Sequence, residues 1–261
     1  MDLGRAAIVL RPRSVTETLD LALRALATLS PSSLLRLSLV YLTPPCALLL
    51  VARYASGLGW VWVWIAGVLL ASLVDAPFTL FVSRRLFHEE PTIGELGRAV
   101  AESLSRHLRS SLHGAFMLSL TALTGFVMSP WAMMRLAFLK EATLLEGYAG
   151  GRAWARASAL ARSPGAPVFS LALSLLVARL ASVMLAEALG QGIVDDLLQL
   201  GQPTGSLWRD GGSAYALVGL FVSTPYVACA RLLAYLDLRT RTDAWDVQLR
   251  FMALAAKDAA S

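Results

Sequence analysis

Long apolar stretches alternate along this chain with short segments in which apolar and cationic residues recur at helical spacing. A helix needs about 20 mostly apolar residues to span a hydrocarbon core. Five stretches qualify readily: 33–53, 59–82, 110–129, 167–189 and 213–236. A sixth, 131–148, holds Arg135, Lys140, Glu141 and Glu146. A lone lipid-facing helix would not tolerate those charges, so this stretch either crosses inside a bundle or lies on the surface.

The polar segments form a second pattern. Ser14 and Glu17 have the spacing of a capping box, and Val15, Leu19, Leu23 and Leu26 follow on one helical face. Thr92 and Glu95 repeat the device after Pro91, ahead of a stripe of Leu96, Val100, Leu104 and Leu108 with Arg98, Glu102, Arg106 and Arg109 on the other faces. After Gly150 and Gly151, Ala153, Ala157, Leu160 and Ala161 face away from Arg152 and Arg156. Each segment is too polar to span and suits the interface plane, apolar side in lipid and arginines at the headgroups. The expected architecture is therefore all-α: one polytopic membrane domain over 1–261, with six transmembrane helices and three amphipathic interfacial helices. It reads as a threefold parallel repeat of interfacial helix plus transmembrane hairpin, starting near 14, 92 and 150.

The positive-inside rule favours six spans over five. With six, 17 cations face the cytoplasm against Arg53 and Arg209 outside; with five, the split is 11 against 10. Arg5, Arg11 and Arg13 before the first span and Arg239, Arg241, Arg250 and Lys257 after the last put both termini in the cytoplasm. The outer loop 190–212 agrees, with Asp195, Asp196 and Asp210 beside a single arginine.

Composition narrows the class. At 56% hydrophobic and 16% charged, with mean hydropathy +0.60, the chain is too apolar for a soluble domain. Lysine occurs only at 140 and 257, an arginine bias that reads as a GC-rich bacterial genome, hence a bacterial cytoplasmic (inner) membrane protein. The net charge of +5 fits membrane orientation better than nucleic acid, because apolar stretches separate the arginines. Cys46 and Cys229 lie in apolar runs and imply neither disulfide nor metal. The N-terminus lacks a signal peptide's short apolar core and cleavage site and is expected to be retained. No phosphate-binding glycine loop occurs, and His88, His107 and His113 lack ligand companions at short spacing. No catalysis and no cofactor are expected.

Ionisable groups at membrane depth are costly and face a partner or a watery cavity. The notable ones are Asp75, Arg135, Lys140, Glu141, Arg179 and Arg231. Depths estimated at ~1.5 Å per residue let Asp75 meet Arg231 and Glu141 meet Arg179, either as ion pairs fixing helix register or as a functional pocket. Pro44 and Pro45, Pro77, and Pro225 interrupt three spans and free carbonyls for nearby hydroxyls. They either shape the bundle or line a polar pocket beside Asp75. Trp60, Trp62, Trp64, Trp131 and Trp208 read as interfacial anchors, the first three alternatively as a partner-binding face. Ile193, Val194, Leu197, Leu198 and Leu200 in the outer loop suit a short helix on the surface or a plug in the bundle.

The C-terminal run Tyr235, Leu236, Asp237, Leu238, Arg239, Thr240, Arg241, with Asp246 and Val247, resembles the end of a broad group of bacterial multi-pass proteins similar to the membrane domain of some glycerophosphoryl diester phosphodiesterases. Glu146-Gly147 followed by Arg152, Ala153, Arg156, Ala157 and Ser158 resembles the same group's glutamate-glycine turn and basic helix. The resemblance implies a helical membrane domain without phosphodiesterase activity, since the catalytic barrel is absent. Ala244-Trp245 departs from the glutamate-glycine pair usual there. Read on its own residues, the motif sets Asp237 and Arg239 level with Glu146 and Arg152, as a cytoplasmic ion-pair network. The function expected is a non-catalytic subunit or scaffold of a membrane complex, with the bilayer and protein partners; the alternative is a transporter or lipid-handling protein using a pocket near Asp75 and Arg179.

Overall fold

The computed structural model describes residues 13–28, 31–86, 89–125, 127–162, 165–201 and 203–242. Arg5, Arg11, His88, Ala244, Trp245, Asp246, Val247, Arg250 and Lys257 lie outside the described residues. The described segments are helical and contain no strand. In chain order they are α1 (Val15–Thr28), α2 (Pro31–Ser56), α3 (Trp60–Leu73), α4 (Ala76–Leu86), α5 (Ile93–Ala122), α6 (Ser129–Leu136), α7 (Leu139–Leu144), α8 (Gly151–Arg162), α9 (Gly165–Gln191), a π-helical turn (Gly192–Leu197), α10 (Leu207–Asp210), α11 (Ala214–Val222) and α12 (Thr224–Thr242).

Among the described residues, four units are long and apolar enough to cross a membrane: Pro31–Ser56, Trp60–Leu86, Pro167–Leu197 and Ala214–Thr242. They coincide with four of the six expected spans. The other two differ in kind. The expected interfacial helix and third span are one continuous 30-residue helix, α5. The stretch 131–148 is two short helices of 8 and 6 residues, interrupted at Ala137 and Phe138.

α12 forms the centre. Leu232, Tyr235 and the other residues of its buried faces pack against Phe78 and Phe138, with α1, α4 and α9 around it. The outer helices carry apolar side chains on the outside as well: Leu35, Leu39, Leu48 and Val51 of α2 and Leu173, Val177 and Leu180 of α9 are exposed. Apolar residues facing outward on that scale need lipid, not water, as solvent. α5 makes the point most sharply. Leu104, Leu108, Leu112 and Phe116, one helical turn apart, are exposed, whereas Ser103, His107 and Ser110 are buried. The stripe expected from Leu96 to Leu108 is thus split: Leu96 packs inward and the later leucines face out.

Both capping boxes form. Ser14 Oγ accepts from Glu17 N at 3.2 Å while Glu17 Oε2 accepts from Ser14 N at 3.2 Å, and Thr92 and Glu95 do the same for α5. The amphipathic faces of α1 and α8 are satisfied differently from expectation. Thr18, Ala22 and Ala25 of α1 are buried against α12, with Leu23 exposed, and Ala153, Ala157 and Leu160 of α8 are buried against α6 and α7. Protein, not lipid, covers them.

Of the prolines, two mark real breaks. Pro77 and Pro225 are each the second residue of a helix, α4 and α12, where the missing N–H is not needed. The chain turns just before, at Val74–Asp75 and at Ser223. Pro44 and Pro45 instead lie inside an unbroken α2. The tryptophans also divide. Trp62 and Trp208 are exposed, Trp64 Nε1 donates to the Gly211 carbonyl at 2.8 Å, and Trp60 is buried beneath Arg53, so it is core rather than anchor. The outer loop continues α9 as a π-helical turn with Ile193, Leu197, Leu198 and Leu200 exposed; it does not plug the bundle.

Small residues set the closest helix contact. A Cβ on Gly219 of α11 would meet Ser182 O at 2.6 Å and Val183 Cα at 2.8 Å, both backbone of α9. Gly219→Ala should therefore destabilise the bundle by about 1–3 kcal/mol, the usual cost of overpacking. Gly94→Ala, with nothing within 4 Å of the new methyl, should be neutral or slightly stabilising. Thermal unfolding of both variants in the same detergent checks this pair of expectations.

Candidate functional site

The breaks at Asp75 and the chain around Lys140 bring four charged side chains to one buried place. Asp75 immediately precedes α4, where the free N–H groups of a helix start favour a carboxylate. Its Oδ2 lies 2.6 Å from Lys140 Nζ and 3.0 Å from Arg231 Nη2. Arg231 Nε donates to Glu141 Oε1. Asp75 and Glu141 are wholly buried. The two negative and two positive charges cancel, and they join three segments: the break before α4, the start of α7 and the middle of α12. Asp75 Oδ1 and Glu141 Oε2 carry no hydrogen bond.

The expected pair Asp75 with Arg231 is made; the expected pair Glu141 with Arg179 is not, because Glu141 bonds to Arg231. Arg179 instead lines a cavity of about 290 Å³ together with Arg231 and the apolar side chains Leu118, Met133, Leu175 and Val227. Its Nε is buried without a hydrogen-bond partner. Arg135 stacks over the Trp131 ring at 4.5 Å, away from the quartet.

The network expected among Glu146, Arg152, Asp237 and Arg239 is divided in two. Glu146 accepts a two-pronged contact from Arg156, at 2.8 Å from Nε and 3.1 Å from Nη2. The Tyr235 hydroxyl donates to the same carboxylate, and Arg239 Nε lies 3.6 Å away. Asp237 serves the N-terminal segment: its Oδ1 accepts from Arg13 N at 2.9 Å and its Oδ2 pairs with Arg241 at 3.0 Å. Arg241 also donates to the Arg13 carbonyl at 2.6 Å. Arg152 joins neither; it is exposed beside Arg109 and Tyr148 at a separate opening.

Sequence reasoning missed Glu187. This carboxylate is buried near the end of α9 and accepts from Gln191 Nε2 at 3.3 Å, from Leu207 N at 2.8 Å and from Ser213 Oγ. Ser213 also caps α11 through Ala216 N. The signal was a lone acid inside the apolar run 167–189, four residues before Gln191 on the same helical face. Arg156 and Tyr235 were also missed as partners of Glu146, although Arg156 is ten residues along from it and Tyr235 stands beside Asp237 in the motif already noted.

Among the described residues no group of three or more His, Cys, Asp or Glu could hold a metal ion. No protein-family model, no curated protein and no solved structure matches the chain. The resemblance at Tyr235–Arg241 thus rests on its own residues alone.

Breaking a buried ion pair from one side leaves an uncompensated charge, at a cost of about 3–5 kcal/mol. Asp75→Asn should lower thermal stability in detergent by an amount of that order. Asp75→Asn combined with Lys140→Met should be milder than Asp75→Asn alone, because the stranded ammonium goes with its partner. Equal stability of the single variant and the unaltered protein would remove the quartet from any structural role.

Proposed function

We propose that this chain is a non-catalytic, multi-pass protein of a bacterial cytoplasmic membrane that takes up a lipid or other apolar solute from the bilayer. The observation that carries this reading is the cavity between α5, α6, α9 and α12, apolar on most sides and bordered by Arg179 and Arg231. Ligand sites are typically concave and largely apolar, with a few convergent polar groups. The charge quartet beside it is internally neutral, which suits support of the cavity wall more than turnover.

The six crossings expected from hydropathy become, in this reading, four crossings and a re-entrant hairpin of α5, α6 and α7. From Ser110 to Ala122, α5 rises only about 18 Å at ~1.5 Å per residue, short of the ~30 Å hydrocarbon core. Its tip is apolar and open, with Leu123 83% and Val127 77% exposed. Ser110 Oγ accepts from Gly150 N at 3.4 Å, so the hairpin leaves at the level where it enters. A re-entrant hairpin and a full one return the chain to the same side, so the charge argument for cytoplasmic termini is unchanged, and the threefold unit keeps a shortened middle copy. Non-helical backbone at membrane depth needs protein cover or a lined cavity, which the break at Ala137–Phe138 has through buried Phe138.

A second reading, a subunit of a larger complex, is favoured by the exposed Arg98, Arg106, Arg109, Arg152 and Arg162. These would offer a cationic cytoplasmic face to an acidic partner.

Two measurements check these points. A cysteine placed at Thr124, on the hairpin tip, should resist a membrane-impermeant maleimide supplied from the periplasm; efficient labelling would mean a full crossing. Purified in mild detergent, the protein should retain about one lipid or solute molecule per chain by native mass spectrometry, and Ala172→Trp, which fills the cavity, should release it. An empty chain with a stoichiometric protein partner would favour the second reading instead.

A further inference from the structure

The charge count around the cavity says more about its occupant. Asp75, Glu141, Lys140 and Arg231 sum to zero, and Arg179 adds one positive charge to the same neighbourhood. Arg179 stands 12 residues after Pro167, about 18 Å into its crossing at ~1.5 Å per residue, so it lies near the middle of a ~30 Å core. An arginine there is expensive unless paired, yet it makes no salt bridge among the described residues and its Nε is buried without an acceptor. The two nearby carboxylates pair through one oxygen each, Asp75 with two cations and Glu141 with Arg231, and neither forms an ion pair with Arg179. The region is one anion short.

We infer that the cavity binds a single-chain amphiphile with a carboxylate head, a long-chain fatty acid anion, whose head pairs with the Arg179 guanidinium and whose tail lies against Leu118, Met133 and Leu175. Three features select this class. A guanidinium matches a carboxylate with two parallel hydrogen bonds. The walls beyond the two arginines are leucine, methionine, valine and alanine, which offer nothing to a sugar or a hydrated inorganic ion. The cleft of about 290 Å³ is open to its surroundings, so a head group can enter it while the tail runs on along the apolar wall. Arg231, held by Asp75 and Glu141, is spoken for and supplies field rather than a contact. This assignment rests on the reading of the cavity as a lipid site and adds the charge of the occupant.

The test uses the full chain in phosphatidylcholine nanodiscs with doxyl-labelled stearate, its uncharged methyl ester and doxyl-labelled phosphatidylglycerol, each followed by electron spin resonance at alkaline pH. The immobilised fraction of stearate should exceed that of the ester by about tenfold in apparent affinity. Arg179→Gln should bring stearate down to the level of the ester. Ala172→Trp should abolish the excess while leaving the layer of lipid around the protein as it was. Circular dichroism melting of Arg179→Gln in the same discs establishes that it is folded; should it fail to fold, Arg179→Lys replaces it and should retain part of the preference. Equal immobilisation of acid and ester, sensitive to Ala172→Trp, would overturn the anionic class while leaving a lipid site. A preference shown by phosphatidylglycerol but not by stearate would overturn the single-chain carboxylate. No component sensitive to Ala172→Trp with any probe would overturn both this inference and the lipid-handling reading.

Discussion

Neutralising charge where water is absent is the constraint that organises this molecule. Each ion taken from water costs several kcal/mol after relaxation, and only good geometry with opposite charge offsets that cost. Asp75, Lys140, Glu141 and Arg231 meet the condition only if the break before α4, the start of α7 and the centre of α12 come together. The quartet therefore constrains the path of the backbone. The turn at Val74–Asp75 ends α3 and sets Asp75 immediately before α4, where its carboxylate meets Lys140 and Arg231.

The remaining packing follows from lipid being the solvent. With no water to flee, apolar side chains gain little by turning inward, and association depends on close contact and hydrogen bonds. Gly219 lies against the α9 backbone and Ser182 Oγ donates to the Gly219 carbonyl at 2.9 Å. Ala22 and Ala25 let α1 lie on α12. On α5 the polar Ser103, His107 and Ser110 are buried while leucines face out, the reverse of a soluble amphipathic helix.

Much of this was legible in the sequence and some of it could not be. Run length and apolarity located the four units long and apolar enough to cross a membrane, and the spacing of Ser14 with Glu17 and Thr92 with Glu95 located two helix starts, because caps are local interactions. The pairing of Asp75 with Arg231 followed from depth along two crossings. Depth alone could not choose between Arg179 and Arg231 for Glu141, since that depends on which face of each helix meets the other. Run length offered 110–129 as a span and the charge count added 131–148; neither registers where a helix ends, and α5 stops at Ala122 while α6 and α7 divide the second stretch. The amphipathic stripes of α1 and α8 were visible, but not whether lipid or protein would cover them. Pro44 and Pro45 looked like a break as plainly as Pro77, yet the helix continues through them. Glu187 was overlooked because, apart from Gln191, its partners are a backbone amide 20 residues away and a serine 26 residues away, which no short motif encodes.

The distribution of fixed points along α9 explains where a cavity can exist. Its C-terminal half is fastened on two sides: Gly219 admits no space against Ser182 and Val183, Tyr215 leaves none against Gly190, and Glu187 gathers Gln191, Leu207 and Ser213 into one bonded knot. Its N-terminal half meets α12 near Val168 and Leu171, which are buried, and then borders the cleft facing α5 and α6 at Leu175 and Arg179. The quartet holds the opposite wall, tying α7 to α12 independently of α9. Two packed bodies, one held by close glycine contacts and the other by ion pairs, thus border an open gap that neither set of interactions closes. The arginine that neither body neutralises projects from the first of them at that gap.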